Sequence, residues 1–567
     1  MCPVASLRAP LPLSQEEVRA RFLALEDQLP SSQAPVGDWE AWYWQWNEAK
    51  LQLQGEASRR YFRECQDTRD EAAKEAWRAL REEILPIAEE INGRLRKAFL
   101  GAECRAELES SLGGALFQRL SLEDAGFTPE NIPLGVQEQG LVAQYDQLLG
   151  GAQLPLETGS VTLVKAQSLL AAEEPEQRQA AWRGIGQFFD EHGASIHGIL
   201  DGLVQLRHQQ ARNLGEDDFL ALGYRRMGRT EYGPAEVARF REAIRDHVVP
   251  LTRQLRAVQA RDLGLNGPCV PGADMMYFPN ATLGDQAAPV EEQIARADAL
   301  FGRLHPQFLA HWRRMTEEGL IDLENRPGKK PGAFAMSLDD ERRAVIFCNS
   351  TGRDADISTL THEMGHAVQA WESMWVRSLE LRTPTMDAAE VHSFGMEYLA
   401  LHEIESFFAP ADAARFRRMR LMTTLVRLPY MAAVDAFQHA LYERPGMTPA
   451  EREAVWADLW DTFMAGIDVQ DCPAQRQYRW MRQAHIFASP FYYIDYALAE
   501  VAALQIWQRA QHDRAGATDA YLTICRLGGT TSLLGMLEAG GLRSPFDPSV
   551  LPELIGAIAR EVGLNDA

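Results

Sequence analysis

The stretch Thr361-His362-Glu363-Met364-Gly365-His366-Ala367 places two histidines four positions apart, with a glutamate directly after the first. Positions i and i+4 of a helix share a face, so His362 and His366 can bind one zinc ion. The carboxylate of Glu363 can then reach a water on that ion. The pattern predicts a helix that carries a metallopeptidase centre. Chance occurrence on an amphipathic helix is the alternative, and the rest of the chain decides between the two.

The composition is that of an ordinary soluble globular protein. The chain has 567 residues, of which 46% are hydrophobic and 24% charged, and this length predicts two or more lobes rather than one simple core. The net charge of -23 argues against a nucleic-acid-binding surface and against a polybasic membrane patch, because both need clustered lysine and arginine. We therefore expect neither a nucleic acid nor a membrane as a partner.

The cysteines and the hydropathy pattern predict a cytoplasmic protein. The seven cysteines are scattered and contain no Cys-x-x-Cys pair, which suits a reducing compartment. Residues 1–8 contain no basic segment ahead of a sustained apolar run. No apolar run reaches the roughly 18 residues that a membrane-spanning helix needs. The best candidate, residues 492–507, is interrupted by Asp495 and Glu500.

Helical patterns joined by glycine-rich turns occupy most of the chain. Near the N-terminus, five aromatic residues have the spacing of a core seam between long helices rather than of a ligand platform. These residues are Trp39, Trp42, Tyr43, Trp44 and Trp46. We place one boundary near residue 185, so that residues 1–185 form an N-terminal helical lobe and residues 186–567 form the catalytic lobe. No flexible linker separates them, which predicts lobes that pack together.

The clearest strand signals lie just before the histidine pair. Residues 333–337 and 344–348 are mainly apolar and are separated by a charged segment, which predicts a hairpin or small two-stranded ribbon. A free strand edge beside a metal helix can pair with an extended peptide. A purely structural ribbon is the alternative, and the sequence leaves both open.

A catalytic zinc site needs a third protein ligand in addition to the two imidazoles. The segment from Met386 to Leu399 predicts a second helix that carries several candidates. These candidates are Asp387, Glu390, His392 and Glu397.

The residues His362-Glu363-Met364-Gly365-His366-Ala367 followed by Glu390-Val391-His392-Ser393-Phe394-Gly395-Met396-Glu397 resemble the oligoendopeptidase F family, the bacterial branch of the thimet oligopeptidase group of zinc peptidases. The resemblance implies that Glu390 is the third zinc ligand and that His392 is not one. Glu397, on the same face of the second helix, is then a candidate to accept the free ring N–H of a ligand histidine. A surface glutamate is the alternative for that position.

A third segment runs from His485 to Tyr496. An aromatic run of this kind usually lies in a core. The family, however, carries a His, Tyr, Tyr set here, and the spacing fits His485, Tyr492 and Tyr496, because Tyr492 and Tyr496 share a helix face. Such donors stabilise the oxyanion that forms when a peptide bond is attacked.

The resemblance implies a mostly α-helical, two-lobed clamshell with a deep channel between the lobes and one zinc ion per chain. It also implies an endopeptidase that acts on short oligopeptides, with Glu363 as the general base. Two other functions stay open: a zinc carboxypeptidase of related helical fold, and a peptide-binding protein without activity. The glycine-rich turns at 527–531 and 539–542 are either substrate loops or simple helix connectors.

Overall fold

A computed structural model of the chain describes residues 13–156, 159–283, 288–470, 472–473 and 475–564. The prediction of a mostly α-helical protein is confirmed, and the few sheets are small. None of the described helices is both long enough and apolar enough to cross a membrane. The cytoplasmic location and the clamshell with its channel stay predictions.

The helices follow one another along nearly the whole described chain. Those of the first half are α1 Gln15–Asp27, α2 Val36–Gln66, α3 Glu71–Ala79, α4 Leu85–Leu100, α5 Arg105–Leu112, α6 Gly114–Ala125, α7 Ile132–Gly150, α8 Leu163–Leu169, α9 Pro175–Asn213, α10 Phe219–Arg226, α11 Pro234–Ala243 and α12 Val249–Asp262. Those of the second half are α13 Val290–Leu304, α14 Pro306–Glu317, α15 Asp354–Ser373, α16 Met386–Ala400, α17 Pro410–Glu443, α18 Pro449–Phe463, α19 Gln475–Tyr478, α20 Ala484–Ala488, α21 Tyr493–Ala510, α22 Arg514–Leu527, α23 Leu533–Ala539 and α24 Val550–Glu561.

The strands are short and form three small sheets among the described residues. They are β1 Gln153–Leu156, β2 Gly159–Thr162, β3 Val270–Pro271, β4 Ile321–Glu324, β5 Phe334–Leu338, β6 Arg343–Ser350 and β7 Ile467–Asp468. The hairpin predicted before the histidine pair is present as β5 and β6, which are antiparallel with Met336 opposite Val345. The structure adds β4, which pairs with β6 in parallel, so the sheet order is β4-β6-β5 and β5 lies at an edge.

The chain contains two compact units, each assembled from three segments. Unit 1 consists of Met1–Ile132, Gln286–Phe407 and Arg509–Leu542, and unit 2 consists of Pro133–Asp285, Phe408–Gln508 and Arg543–Ala567. The predicted boundary near residue 185 lies inside helix α9, and the division into residues 1–185 and 186–567 differs from these units. A single cut in the sequence cannot show that distant segments return to the same unit.

The aromatic residues of α2 lie in the core of unit 1. Trp39, Trp42, Tyr43 and Trp46 are at most 3% exposed and pack around Phe99 of α4. Trp44 is partly buried against the same cluster. The spacing of these aromatic residues is therefore that of a core seam between packed helices, as predicted. They form part of the core of unit 1.

Helix α15, which carries the histidine pair, lies against helix α16 at a glycine. A Cβ atom on Gly365 would come within 2.5 Å of the His392 carbonyl oxygen and 2.6 Å of the Ser393 Cα. Both are backbone atoms of α16, which cannot move aside as a flexible side chain can. From α22, the Tyr521 hydroxyl donates to the same His392 carbonyl at 2.9 Å. Glycine at position 365 therefore allows the two helix backbones to approach closely.

The connection between α15 and α16 is braced by the glycine turn that ends α22. The Gly529 N–H donates to the Leu381 carbonyl at 2.8 Å. A Cβ atom on Gly529 would lie 2.4 Å from the Thr383 carbonyl oxygen, and Gly528 has a positive φ of 53°. Position 529 requires glycine because the Thr383 backbone is so close, and position 528 favours glycine because of its positive φ. This turn thus supports the segment that positions α16.

We predict that Gly365→Ala forces α15 and α16 apart and lowers the free energy of unfolding by about 1–3 kcal/mol, as overpacking does in a close-packed core. Chemical denaturation measures the change. Gly198→Ala is the matched control, because Gly198 is an exposed glycine within α9 whose added Cβ meets nothing within 4 Å. There, alanine is expected to be neutral or to stabilise by up to about 1 kcal/mol. Equal effects at both positions would contradict the proposed close contact.

Candidate functional site

Three potential metal ligands converge in unit 1. His362 and His366 extend from α15 and Glu390 from α16, and one ligand atom from each lies within 4.8 Å of the others. The Glu390 Oε2 atom is 3.2 Å from His362 Nε2 and 3.4 Å from His366 Nε2. The i, i+4 spacing on α15 and the close approach of α16 thus bring together the residues that the sequence singled out.

The spacing of these atoms fits a zinc ion. Ligands about 2.0–2.1 Å from a tetrahedral zinc lie about 3.4 Å from one another. The two nitrogen–oxygen distances in the structure agree with that separation. Two imidazoles and a carboxylate are also a ligand set that catalytic zinc sites use, with the fourth position left for water.

Glu390 is buried and held by its own helix. The Ser393 hydroxyl, one turn further along α16, donates to Glu390 Oε2 at 2.7 Å. Burial by itself would raise the pKa of Glu390, but the imidazoles of His366 and His362 more than offset it and hold the pKa well below its ordinary value. The carboxylate is therefore ionised, as a metal ligand must be. Ser393 was missed from the sequence, although its i+3 position relative to Glu390 was visible there.

The second glutamate of α16 contacts the first histidine of α15. The Glu397 Oε1 atom is 2.7 Å from His362 Nδ1, so His362 donates its Nδ1–H and presents Nε2 toward Glu390. Burial lowers the pKa of His362, but Glu390 and Glu397 outweigh it and raise the pKa to about 10. The two carboxylates thus stabilise positive charge at this position. The predicted contact between Glu397 and a histidine of the pair is present in the geometry.

Glu363 has one carboxylate oxygen without a hydrogen-bond partner among the described residues. The side chain is buried, and its Oε2 atom is the partnerless one. A backbone hydrogen bond links this carboxylate to Ala335 of the edge strand β5. Burial raises the pKa of Glu363 above its ordinary value. A buried oxygen of this kind is available to a ligand or to a water molecule.

The other candidates on α16 do not join the cluster. Asp387 and His392 are buried but are absent from the ligand group that the described residues form. The His392 Nδ1–H donates to the Ala389 carbonyl at 3.1 Å, and burial lowers the pKa of this histidine to about 4. His392 is therefore neutral and bound to its own helix.

In unit 2, the structure brings His485, Tyr492 and Tyr496 together. The rings of Tyr492 and Tyr496 are 5.1 Å apart, and those of His485 and Tyr492 are 6.0 Å apart. His485 Nε2 lies 3.4 Å from the Tyr496 hydroxyl. Tyr493, which the helix spacing placed on another face, still lies 4.9 Å from the His485 ring. The predicted trio is one cluster, and Tyr493 borders it.

A neighbouring amide orients the imidazole of His485. The Tyr430 hydroxyl donates to Gln483 Oε1 at 3.2 Å, and Gln483 Nε2 lies 2.7 Å from His485 Nδ1. An amide nitrogen only donates, so Nδ1 accepts and the ring proton lies on Nε2, the atom near Tyr496. His485 is thus a hydrogen-bond donor on the side of the tyrosines. Sequence reasoning missed Gln483 because nothing in its local pattern distinguishes it.

Buried polar residues from distant parts of unit 2 fix the turn that leads into α21. Phe491 has a positive φ of 69°, which is strained for an aromatic residue. Its N–H donates to Gln438 Oε1 at 2.9 Å, and its carbonyl accepts from Arg229 Nη2 at 2.6 Å. Arg229 also pairs with Asp495 at 2.6 Å, with both side chains fully buried. The turn immediately precedes Tyr492, so these contacts position the tyrosines.

Arg207 holds the other side of this turn. Its guanidinium donates to the Ile486 and Phe487 carbonyls of α20 and pairs with Glu138 at 2.7 Å. Neither Arg207 nor Arg229 could be found from the sequence, because each lies more than 250 positions before the turn that it supports.

A helix with His-Glu-x-x-His beside a helix that supplies a glutamate defines the class of metal centre that metallopeptidases use. Residues 168–554, more than half of the chain, match the model of Peptidase family M3. Residues 13–127 match the Peptidase M3 N-terminal domain. The chain belongs to peptidase family M3.

Solved structures agree over the full length. PZ peptidase A, solved with an inhibitor, is 30% identical with a TM-score of 0.93 over 99% of both chains. A 3.1 Å X-ray structure assigned to oligoendopeptidase F is 31% identical with a TM-score of 0.93, covering 100% of this chain and 99% of that one. The oligoendopeptidase F homolog of Borreliella burgdorferi is 21% identical over 257 residues, which span 44% of this chain and 42% of that relative. The predicted resemblance to the oligoendopeptidase F family is confirmed.

We predict that Arg229→Met lowers the free energy of unfolding by about 3–5 kcal/mol, because it removes the cation that pairs with buried Asp495. It also removes the donor to the strained Phe491 carbonyl. The exposed Arg253→Met is the control and is expected to change stability by less than about 0.5 kcal/mol. Denaturant titration of both variants provides the comparison. A loss no larger than that of the control would show that the pair does not hold the turn.

Proposed function

We propose that the protein is a zinc-dependent endopeptidase that hydrolyses internal bonds of short peptides. His362, His366 and Glu390 hold the metal, and Glu363 is the general base. The observation that carries the proposal is the convergence of two imidazole nitrogens and a carboxylate oxygen within 4.8 Å of one another, with both nitrogen–oxygen distances at the separation expected in a tetrahedral zinc site. We also propose that the protein acts in the cytoplasm and that its substrates are oligopeptides.

Zinc, when bound, makes a water more acidic and polarises the scissile carbonyl. The residues of the chain supply the proton transfers. Glu363 accepts a proton from the attacking water on its partnerless Oε2 atom and delivers it to the leaving amine. Its backbone contact with Ala335 holds the carboxylate in place, because a hydrogen bond from a rigid strand limits rotation of the group.

Glu397 orients a metal ligand. By accepting the Nδ1–H of His362 it fixes the tautomer that leaves Nε2 free for the metal, and it increases the basicity of the ring. This contact supports the assignment of His362 as a ligand. It also gives Glu397 a positioning role instead of a surface role.

His485, Tyr492 and Tyr496 stabilise the oxyanion of the tetrahedral intermediate. The support for this role is that the three side chains form one cluster and that Gln483 places the His485 proton on Nε2. Preorganised N–H and O–H donors lower the barrier most when they are fixed before the substrate arrives. The strained turn at Phe491 and its buried partners provide that rigidity.

Strand β5 binds the substrate backbone. It lies at the edge of the sheet β4-β6-β5, and four of its five residues are only partly buried. An extended peptide can add to such an edge through main-chain hydrogen bonds. The link between Ala335 and Glu363 then brings the added strand next to the general base.

We predict that Glu363→Gln abolishes cleavage and leaves zinc bound, because the amide cannot accept the proton while the three ligands are unchanged. The measurement is mass-spectrometric digestion of mixed short peptides, some of them C-terminally amidated, with the bound zinc quantified in each protein. Glu317→Gln, at an exposed position of α14, is the matched control and is expected to cleave like the wild type.

The same digestion separates the two other functions. Single-residue trimming that stops at amidated ends would indicate a carboxypeptidase. Zinc binding without any cleavage by the wild type would indicate a peptide-binding protein. Internal cuts in amidated peptides, lost in Glu363→Gln, are the expected result.

We predict that Glu397→Gln weakens zinc binding by roughly tenfold to a hundredfold, the usual effect of removing the carboxylate behind a ligand histidine. Competition titration with a chromophoric chelator measures the affinity. The Glu317→Gln protein serves again as the control and is expected to keep the wild-type affinity. Unchanged affinity in Glu397→Gln would contradict the orienting role of Glu397.

A further inference from the structure

Buried arginines in this chain generally pair with carboxylates. Removing a charge from water costs several kcal/mol, and a counter-ion at hydrogen-bonding distance offsets that cost. The pairs at 2.6–2.7 Å include Arg178–Asp274, Arg207–Glu138, Arg229–Asp495 and Arg452–Asp201. In each case, the guanidinium is at most 2% exposed.

Arg479 departs from this pattern. Its side chain is 7% exposed. Among the residues that the structure describes, its Nε and Nη1 atoms have no hydrogen-bond partner, and no carboxylate forms an ion pair with it. Arg482, one turn further along, has a buried Nη1 atom that also lacks a partner in the described part of the chain. Burial and the charge of Arg479 lower the pKa of Arg482 to about 9. Arg479 and Arg482 therefore lie close together, and burial together with Arg479 also lowers the pKa of Arg256. No carboxylate in the described ranges forms an ion pair with these arginines.

Three nitrogens of these guanidinium groups have no hydrogen-bond partner among the described residues: Arg479 Nε, Arg479 Nη1 and Arg482 Nη1. The Arg479 guanidinium lies 5.4 Å from the centre of the Tyr430 ring, which is in turn 5.9 Å from the ring of Tyr493. Aromatic faces stabilise a guanidinium but do not satisfy its N–H groups. Arg482, Tyr430 and Tyr493 are only partly buried, whereas the partnerless nitrogens of the two arginines are themselves buried. These features describe a site built for an anion.

We propose that Arg479 and Arg482 form an anion-binding subsite that takes a carboxylate of the peptide substrate. The guanidinium fork matches the two oxygens of a carboxylate, and charge-assisted bonds of this kind are short and strong. The inference rests on the proposed function and goes beyond it by naming a chemical class of substrate: peptides that present a carboxylate at this position.

The position of the subsite connects it to peptide binding. The ring of Tyr430 lies against Arg479, and the hydroxyl of Tyr430 binds Gln483, which in turn binds His485. A ligand at the arginines is therefore separated by only two side chains from the imidazole proposed to contact the scissile bond. The carboxylates of a peptide are its C-terminus and its aspartate and glutamate side chains, and both have the chemistry that the arginines recognise.

The test uses short peptides of one sequence in two matched pairs, with the zinc-loaded full-length protein. The first pair differs only in a free or an amidated C-terminus. The second pair is amidated and differs only by glutamate or glutamine at one position. KM is measured for the wild type, and Kd is measured by calorimetry with Glu363→Gln. We expect the carboxylate member of one pair to bind roughly tenfold more tightly, and the pair that responds identifies the source of the carboxylate.

Variants assign the effect to the arginines. In Arg479→Met and Arg482→Met, the two peptides of the responding pair are expected to bind equally, so that the ratio of their Kd values falls to about one. Arg253→Met removes the same charge from an exposed position and is expected to keep the wild-type ratio. Arg479→Met is also expected to melt no lower than the wild type, because it removes a buried charge that has no counter-ion.

Equal binding within both pairs, or a preference that survives both methionine substitutions, would overturn the subsite. Cleavage of the amidated, uncharged peptide tests the proposed function separately, because that peptide carries no carboxylate. Normal cleavage of it together with equal binding within the pairs would reject the subsite alone. Failure to cleave any peptide would reject the proposed function, and the calorimetric ratios would still decide whether the arginines bind a carboxylate.

Discussion

The candidate centre depends on one packing constraint, the contact of α15 with α16 at Gly365. Without a side chain there, the backbone of α16 reaches α15, so that Glu390 lies beside both histidines and Glu397 contacts His362. The Tyr521 hydroxyl bonds the same stretch of α16 from α22. Metal-site geometry tolerates only small displacements, so this backbone contact has to be rigid.

The sequence predicted the site best where residues of a suitable type for metal binding also have a regular helical spacing. The i, i+4 spacing placed His362 and His366 on one face, and the second glutamate-bearing segment supplied Glu390 once the family resemblance was recognised. The first signal is local, because it is set by the period of a single helix. The choice of Glu390 among the candidates of the second segment came from the resemblance. The hairpin β5–β6 could also be predicted from a local signal, since its two apolar runs are adjacent in the chain.

The contacts that support the turn before Tyr492 could not be predicted. Arg229 and Gln438 hold the turn before Tyr492 from elsewhere in unit 2, and no period or spacing in the sequence connects them to it. The sequence analysis did not predict strand β4 or the assembly of each compact unit from three segments, because both depend on contacts between distant parts of the chain. That Arg479 has no hydrogen-bond partner for its Nε and Nη1 atoms within the described part of the chain is visible only once the neighbours of that side chain are known.

The central claim is that His362, His366 and Glu390 are the ligands of one zinc ion. Anomalous diffraction from crystals of the zinc-loaded protein, recorded on both sides of the zinc absorption edge, tests it most directly. We predict one strong peak per chain about 2.0–2.1 Å from His362 Nε2, His366 Nε2 and a Glu390 carboxylate oxygen. The absence of a peak at these residues, or a zinc ion held by other side chains, would contradict the account.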